Sequence, residues 1–311
     1  MVRPICIVYY VYLNHPENWK GIVHGQINDL VVSGLLKISD LCVCLSGEIS
    51  LMEEVNGFIH ACVCSVKDSN VTYTMTEENL YEYPGIHQLY VLAKTDPNRV
   101  FLYMHTKGMS RSTSPTERSL DNICLTRLTA WNHVKIMSIF ENYPAINKIG
   151  LFPSSAGWIW FNFFWVRGSY LVKCNEPIVS NRRHAYEDWL GTSNHKSSLD
   201  SYSIYDNLHG SSYIPAQACS LLRGLFTVNY GVINSHITRV VYGVEQHYVD
   251  ITQHFIELLN VNKWFTIRNE LTGCDPCYGV VKQLIIYMGD GHEIQVVEGT
   301  HIHFAYNPLK L

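Results

Sequence analysis

Short apolar runs alternate with helical repeats along the first half of the chain. The runs are nearly continuous in apolar residues, which is typical of strands that are buried on both faces of a sheet. We predict such strands at residues 4–12, 41–45, 58–64, 100–105 and 149–152. Between them, apolar residues recur at the spacing of an amphipathic helix. This spacing, with a proline suited to the first turn of the second segment, predicts helices at residues 17–36, 83–93 and 121–143.

Strands and helices in this order predict an α/β fold, with a mainly parallel sheet flanked by helices. After about residue 220 the pattern changes, because short strand-like segments follow one another without helical repeats between them. We expect a separate, small all-β domain in this part of the chain. The predicted organisation is an α/β domain at residues 1–220, a linker at 221–235 and a β-rich accessory domain at 236–311.

The predicted strand at 100–105 is the most informative segment, because it changes abruptly from apolar to polar residues. It delivers His105, Thr106 and Lys107 at its carboxyl end, ahead of Gly108. Open α/β sheets bind their ligands at this edge. The strand therefore predicts a polar binding site.

Two later segments add chemistry to this site. An aromatic run extends from Phe161 to Leu171, and an acidic pair, Glu187 and Asp188, precedes Trp189. The carboxylates supply a candidate base, and the aromatic side chains beside them supply a surface on which a sugar ring can stack. Together with the polar strand end, these segments predict an enzyme that acts on a phosphorylated sugar.

The composition argues against two other classes of protein. Hydrophobic residues make up 47% of the chain and charged residues 16%, which describes an ordered globular protein. The formal net charge is −4, whereas nucleic-acid-binding proteins are typically basic, so the composition argues against that class. No apolar run is long enough to span a bilayer, and we find no signal-peptide pattern, so we expect a cytoplasmic protein.

At these residues the chain resembles a family of glycosyltransferase-like proteins of GT-A type, found in large DNA viruses and bacteria. The resemblance covers about residues 5–215 and rests on Tyr83-Pro84, Tyr103-x-His-Thr-Lys-Gly108, Asn162-Phe-Phe-Trp165 and Glu187 ahead of Trp189. The tail is similar to a small β module that accompanies diverse enzymes, including bacterial glycosyltransferases, and this similarity rests on Tyr242-Gly243, Asp250-Ile-Thr252, Asp275-Pro276 and Gly279-Val-Val-Lys282. The resemblance implies a GT-A-like fold, a nucleotide-diphosphate sugar as donor and a glycan as acceptor. For a viral protein it implies residence in the host cytoplasm.

Transfer from such a donor requires a positive charge that balances the departing diphosphate. Lys107, beside the backbone N–H groups of the turn to Gly108, is our candidate. His105 is compatible with three roles: a metal ligand, a hydrogen-bond donor to the diphosphate or sugar, or a structural histidine. We also assign donor-binding roles to Tyr10, Thr106 and His209.

The acceptor hydroxyl needs a base that takes its proton, and a carboxylate is suited to this role in a single displacement with inversion. We predict Glu187 as the base, with Asp188 as the second candidate, and we expect both in the first turns of a helix. Acidic residues also favour helix N-termini through the helix dipole, which offers a purely structural explanation for one of the pair. For the acceptor sugar we predict contacts from Asn162, Trp165 and Arg182.

One departure from the GT-A pattern concerns the metal. Such enzymes hold a divalent cation, Mn²⁺ or Mg²⁺, with an Asp-x-Asp, and no Asp-x-Asp occurs in this chain. His105-Thr-Lys107 occupies the matching position, so His105 is the candidate ligand and the expectation of a metal cofactor is weakened. The resemblance thus implies a glycosyltransferase that inverts configuration, whereas the residues alone support only an α/β domain with a polar site at a strand end. The competing hypothesis is a non-catalytic glycan-binding protein on a degenerate transferase fold.

Overall fold

The computed structural model describes residues 3–14, 19–64, 66, 70–107, 109, 120–182, 184–193, 197–225, 227–233, 237–261, 264–269, 275–278, 280–289, 291–298 and 300–306. The chain divides into two compact units, Met1–Ser220 and Leu221–Leu311. Each unit has its own apolar core.

The first unit consists of strands and helices in alternation. Its strands are β1 (Ile5–Leu13), β2 (Ser39–Gly47), β3 (Asn70–Thr76), β4 (Val100–His105), β5 (Lys148–Gly150), β6 (Phe164–Arg167), β7 (Ser201–Ser203) and β8 (Leu208–His209). Its helices are α1 (Trp19–Val32), α2 (Ile49–Cys64), α3 (Tyr83–Thr95), α4 (Leu120–Ala130), α5 (His133–Asn142) and α6 (Gly168–Leu171). Helix α7 (Pro215–Leu225) crosses the division between the units.

The strands of this unit pair into one sheet in the order β3-β2-β1-β4-β6-β5-β7-β8. β1 is parallel to β2 and β4, and β2 is parallel to β3. β6 is antiparallel to both β4 and β5, so β5 runs in the same direction as β4, and β7 is parallel to β5. The sheet is therefore mostly parallel, which confirms the predicted α/β class. The ends of β1, β4, β5 and β7 meet at one edge, which we call the carboxyl edge.

Helices cover both faces of the sheet. Successive side chains of β1 alternate between the faces. Tyr9 donates its hydroxyl hydrogen to Gln26 of α1 (2.7 Å), whereas Tyr10 lies under Gly85 of α3. β1 is consequently buried along almost its whole length, which explains the continuous apolar run in its sequence.

The prediction of a strand at residues 58–64 is wrong, because these residues belong to α2. The buried residues of α2 recur at helical spacing: Leu51, Met52, Val55, Ile59 and Val63. The third strand is instead β3, in which exposed and half-buried residues largely alternate at the edge of the sheet. Its sequence is rich in threonine and has no apolar run, so the hydrophobic pattern did not predict it.

The second unit contains two sheets and a helix. Its strands are β9 (Thr227–Ile233), β10 (Ile237–Val244), β11 (His247–Asp250), β12 (Trp264–Thr266), β13 (Gln283–Met288), β14 (Glu293–Val297) and β15 (His301–Tyr306), and its helix is α8 (Thr252–Val261). One sheet is antiparallel in the order β11-β10-β13-β14, and the other has the order β12-β15-β9. Residues 221–235, predicted to be a linker, contain the end of α7 and all of β9.

The expectation of an all-β second domain is wrong, because α8 belongs to this unit. Ile251, Phe255 and Leu259 are buried and lie four residues apart, which is helical spacing. Asp250 supports the start of the helix by accepting hydrogen bonds from the N–H (3.0 Å) and the hydroxyl (2.6 Å) of Thr252. Like the other described helices, α8 is not long and apolar enough to cross a membrane.

A charged side chain, that of Lys148, is fully buried in the first unit. Its ammonium forms an ion pair with Asp200 (2.8 Å) and donates to the Tyr170 hydroxyl (3.1 Å) and the Ser197 carbonyl (3.1 Å). Burial lowers the pKa of Lys148, and the hydrogen bond and charge of Asp200 oppose this change. The ammonium therefore depends on its partners, because a buried charge without a counter-charge is strongly unfavourable.

We expect Asp200→Asn to lower the free energy of unfolding by about 3–5 kcal/mol, because it leaves the Lys148 ammonium without its counter-charge. Urea denaturation of the full chain measures this change. Glu54→Gln is the control, since Glu54 forms an exposed pair with Lys20 at 3.9 Å, and we expect it to cost less than about 0.5 kcal/mol. Equal losses in the two variants would contradict a structural role for the buried pair.

Candidate functional site

Thr106 holds the carboxyl ends of β1 and β4 together. Its N–H donates to the carbonyl of Tyr10 (3.0 Å), and its hydroxyl oxygen accepts from the N–H of Tyr12 (3.1 Å). These bonds extend the parallel pairing beyond the last register pair, Tyr10 and His105. The Thr106 side chain is buried, so Thr106 has a structural role, and it lies between His105 and Lys107 in the chain.

A carboxylate that the sequence analysis did not select, that of Glu82, stands at the centre of a polar cluster at this edge. Its Oε2 accepts hydrogen bonds from the Tyr103 hydroxyl (3.0 Å) and from Nδ2 of Asn162 (3.0 Å). Its Oε1 lies 3.8 Å from Nδ1 of His105. The Glu82 side chain is 17% exposed, so a ligand at the edge can reach it. We call Glu82, Tyr103, His105 and Asn162 the Glu82 cluster.

Tyr103 is a permanent hydrogen-bond donor in this cluster. Burial, and after it the negative charge of Glu82, raises the pKa of Tyr103 well above its usual value. The hydroxyl therefore keeps its hydrogen and directs it at Oε2 of Glu82.

The imidazole of His105 has one nitrogen engaged and one facing Glu82. Nε2 lies 3.0 Å from the carbonyl oxygen of Phe161. A carbonyl only accepts, so Nε2 carries a hydrogen in this arrangement. Nδ1 is then the ring nitrogen that faces the Glu82 carboxylate, and it is available for a proton or a ligand.

Phe161 and Asn162 have left-handed backbone conformations, with φ of 73° and 55°. Each such residue costs on the order of 1–3 kcal/mol and persists where its surroundings hold it. The strained turn directs the Phe161 carbonyl to His105, and the Asn162 amide to Glu82 and to the carbonyl of Tyr186 (3.0 Å). The hydrogen bonds to His105 and Glu82 that hold this strained turn are therefore made with residues of the Glu82 cluster.

Lys107 supplies a cation at the same edge. Its Nζ lies 5.0 Å from the centroid of the Phe161 ring, which is within the range of a cation–π interaction. The side chain is half-buried, so the ammonium is positioned by the ring and still accessible. Gly108, predicted to act with Lys107, lies outside the described residues.

Helix α3 reaches the cluster because Gly85 has no side chain. A β-carbon at this position would lie 2.7 Å from Cβ of Tyr10 and 3.0 Å from the hydroxyl oxygen of Tyr103. The first turn of α3 therefore packs directly on β1 and β4. Glu82, the residue just before α3, is carried by this packing to the end of β4.

A cavity of about 190 Å³ lies at the carboxyl ends of β2 and β3. Its lining includes Thr74 and Thr76 of β3 and Tyr83 and His87 of α3. The rings of Tyr83 and His87 stack with their centroids 5.2 Å apart. Tyr83, which lines the cavity, directly follows Glu82 of the cluster in the chain.

Glu187, the predicted base, directly follows Tyr186, whose carbonyl accepts a hydrogen bond from Asn162 of the cluster, but the Glu187 side chain has another partner. Its carboxylate is 50% exposed and lies 2.9 Å from Nδ1 of His184. The segment forms turns and a 3₁₀-helix at Trp189–Thr192, not the α-helix that we expected, and Asp188 directly precedes this 3₁₀-helix. The carboxylate that the structure holds in the cluster is that of Glu82.

Four other predicted site residues lie beneath the carboxyl edge or away from the cluster. Trp165 is completely buried and donates its Nε1–H to the carbonyl of Thr129 (2.9 Å), so the prediction that it contacts an acceptor sugar is wrong. Tyr10 is packed under α3, where burial raises its pKa. His209 is on β8, which β6, β5 and β7 separate from β4. Arg182 is exposed in the segment before the Glu187 turn.

Sequence reasoning missed Glu82 for an identifiable reason. An acidic residue just before a helix is usually explained by the helix dipole. Its partner Asn162 lies 80 positions later in the chain, so no local pattern links the two. The usable signal was the place of Glu82 immediately before Tyr83-Pro84, one of the motifs that carry the resemblance.

The described residues offer two donors for a cation at this edge, Nδ1 of His105 and Oε1 of Glu82, which lie 3.8 Å apart. Within the described part of the chain, no group of three or more His, Cys, Asp or Glu side chains could hold a metal ion. Mg²⁺ prefers an octahedral shell of oxygen atoms, and Mn²⁺ also favours carboxylate and water oxygens. The pair therefore fits a divalent cation only if substrate oxygens and water complete the shell.

The structure brings three predicted site residues, His105, Lys107 and Asn162, together with Glu82 at the carboxyl edge. Asn162 is only 2% exposed and holds Glu82, so the structure gives it a positioning role and not the predicted contact with an acceptor sugar. No model of a known protein family matches the chain, and no sequence among curated proteins matches it either. The functional interpretation of the site rests on its geometry and on the sequence motifs.

We expect Gly85→Ala to lower the free energy of unfolding by about 1–3 kcal/mol, because the added methyl group meets Tyr10 and Tyr103. Gly57→Ala is the matched control. Gly57 is an exposed residue of α2 and no atom lies within 4 Å of its β-carbon position, so we expect a gain of about 0.5–1 kcal/mol. Both values come from urea denaturation. Similar effects in the two variants would refute the close packing of α3.

Proposed function

We propose that this protein is a glycosyltransferase that moves a sugar from a nucleotide-diphosphate sugar to a hydroxyl group of a glycan. The observation that carries the proposal is the meeting of a carboxylate (Glu82), an imidazole (His105) and an ammonium (Lys107) at the carboxyl edge of a mostly parallel sheet. Ligands of open α/β sheets bind at this edge. The GT-A type of the domain is part of the same proposal, and the motifs at these positions support it.

Lys107 is assigned to the diphosphate. When the bond between the anomeric carbon and the phosphate oxygen breaks, its electron pair stays on the diphosphate. An ammonium placed beside that oxygen stabilises the added charge. The Phe161 ring, 5.0 Å from Nζ, restricts the ammonium to this edge and shields one side of it from water.

The nucleoside is assigned to the cavity lined by Tyr83 and His87 of α3. The stacked rings of Tyr83 and His87 provide a flat surface for a base, and the hydroxyl groups of Thr74 and Thr76 provide hydrogen bonds. In this orientation the diphosphate extends from the cavity toward His105 and Lys107.

Glu82 is assigned as the base. As the acceptor oxygen attacks the anomeric carbon from the face opposite the diphosphate, its proton passes to Oε1 of Glu82, and the configuration inverts. Tyr103 and Asn162 hold Oε2 and so orient Oε1. Glu187 remains the competing candidate, because the carbonyl of its neighbour Tyr186 accepts a hydrogen bond from Asn162.

A divalent cation that bound with the donor would be held by His105 and Glu82, and it would offset charge on the diphosphate. Oε1 of Glu82 cannot serve a cation and take a proton at the same time. Metal dependence would therefore transfer the role of base to Glu187, and a test with and without manganese separates the two assignments.

We expect one nucleoside diphosphate in a thermal-shift screen to raise the melting temperature of the protein, because a ligand of the folded state stabilises it by about 2.7 kcal/mol at 100 times its Kd.

Lys107→Ala should weaken the binding of this nucleotide about tenfold or more, which corresponds to about 1.4 kcal/mol. Lys173→Ala, an exposed lysine that follows α6, should leave binding unchanged. If no nucleotide stabilises the wild-type protein but glycans do, the chain is a glycan-binding protein and the transferase proposal fails.

We expect Glu82→Gln to lower kcat about 100-fold or more, because the amide cannot take the proton. Turnover is measured as release of nucleoside diphosphate from the sugar donor that corresponds to the nucleotide found in the screen. Donor affinity should change less than about twofold, and Glu187→Gln should retain activity. The reverse result, an inactive Glu187→Gln and an active Glu82→Gln, would assign the base to Glu187.

A further inference from the structure

A second group of side chains reaches the carboxyl edge beyond the end of β4. β5 and β7 run in the same direction as β4, so the residues that follow them emerge at the same edge as His105. Phe152 follows β5 and is completely buried. Three rings surround it, with centroids at 6.0 Å (Phe161), 5.3 Å (Tyr205) and 5.4 Å (Tyr213). We call these three rings the aromatic platform.

The aromatic platform is open to solvent, although its support is buried. Tyr205 is 37% exposed, and Phe161 and Tyr213 are half-buried. Tyr205 and Tyr213 also contact each other edge to face, with centroids 6.3 Å apart. Three partly exposed rings around one buried ring leave apolar faces that a ligand can cover.

Hydrogen bonds hold the platform in place. Oδ2 of Asp206 accepts from the hydroxyl groups of Tyr213 (2.6 Å) and Ser211 (2.7 Å), and its Oδ1 accepts from the N–H of Leu208 (3.1 Å). Trp160 donates its Nε1–H to the carbonyl of Tyr213 (2.7 Å). Burial, and after it the hydrogen bond to Asp206, raises the pKa of Tyr213 to about 12, so its hydroxyl keeps its hydrogen. The platform is therefore pre-organised.

The platform is continuous with the Glu82 cluster through Phe161. The ring of Phe161 belongs to the platform and lies 5.0 Å from Nζ of Lys107, while its carbonyl oxygen lies 3.0 Å from Nε2 of His105. A ligand on the platform is thus next to the groups that we assign to the donor.

We infer that the aromatic platform binds a saccharide, and that this saccharide is the acceptor of the proposed transfer. The second part rests on the proposed function. A sugar ring has apolar C–H faces and a rim of hydroxyl groups, which match exposed aromatic faces beside fixed polar groups. The platform is bordered by charged groups: the Asp206 carboxylate, bonded to Tyr213, and the Lys107 ammonium, beside Phe161, which we assign to the diphosphate. The tyrosine side of the platform therefore suits a neutral polyhydroxy ligand better than a phosphorylated chain.

Saturation-transfer NMR of the full chain tests this inference. The probes are the methyl glycosides of glucose, galactose, mannose, N-acetylglucosamine, xylose and rhamnose, and the disaccharides cellobiose and lactose. We expect at least one of them to receive saturation from the protein. Tyr205→Ala should weaken its affinity about tenfold, because a stacking face is lost, and Tyr205→Phe should retain the wild-type affinity.

Tyr143→Ala is the control, because Tyr143 is 60% exposed and follows α5 at the opposite edge of the sheet. It should bind the saccharide as the wild type does. The melting temperature of each variant confirms that it is folded. Absence of saturation transfer with every probe, or equal binding by Tyr205→Ala and wild type, would overturn the inference.

The two proposals fail in distinguishable ways. If a nucleotide stabilises the protein but no saccharide binds, the platform is not an acceptor site and the donor assignment stands. If a saccharide binds through Tyr205 but no nucleotide does, the saccharide site stands and its role as an acceptor is refuted together with the transfer.

Discussion

The chemistry of the carboxyl edge depends on how closely α3 approaches the sheet. Gly85 lets the backbone of the helix lie against Tyr10 and Tyr103, where even a methyl group would come within 2.7 Å of a neighbouring carbon. This contact fixes the first turn of α3, and Glu82 directly precedes that turn. Packing of the helix on the sheet therefore positions the carboxylate of the residue that directly precedes the helix.

The other side of the cluster is positioned by a strained turn. Phe161 and Asn162 have left-handed conformations without being glycine, and their contacts offset this cost. Phe161 alone touches three partners: His105 through its carbonyl oxygen, Lys107 through its ring and Phe152 through the edge of its ring. One strained residue thus links the region assigned to the donor with the aromatic platform. A change in this turn would alter both regions together.

Part of this arrangement could be predicted from sequence, because the signals were local. The apolar run that ends in His105, Thr106 and Lys107 indicated the strand and its edge, and Tyr83-Pro84 indicated the start of a helix. The strand β3 could not be predicted from hydrophobicity, because an edge strand with threonine on its surface has no apolar run. The same reasoning wrongly made residues 58–64 a strand, since their helical period continues a pattern that starts at residue 49.

The site was less predictable than the fold, because its contacts join distant parts of the chain. Glu82 meets Asn162 across 80 positions, and the pairing depends on left-handed residues that carry no glycine signature. Trp165 shows the opposite error: it lies three positions after Asn162 and is completely buried, because the turn ends and β6 begins between them. Residues of one motif can therefore differ in role, with one in the core and another at the site.

The buried and half-buried charges of the first unit differ in how many of their atoms are already engaged. The ammonium of Lys148 has an ion pair and two further acceptors and is fully buried, so it is structural. Both oxygens of Asp206 accept hydrogen bonds; burial opposes ionisation, but the bonds from Tyr213 and Ser211 hold the pKa of Asp206 below its usual value. Glu82 differs, because Oε2 is held by two donors while Oε1 faces His105 at 3.8 Å, beyond a normal hydrogen bond. An oriented carboxylate with one accessible oxygen is what a general base requires, which is why Glu82, and not the better-bonded groups, is assigned to the proton.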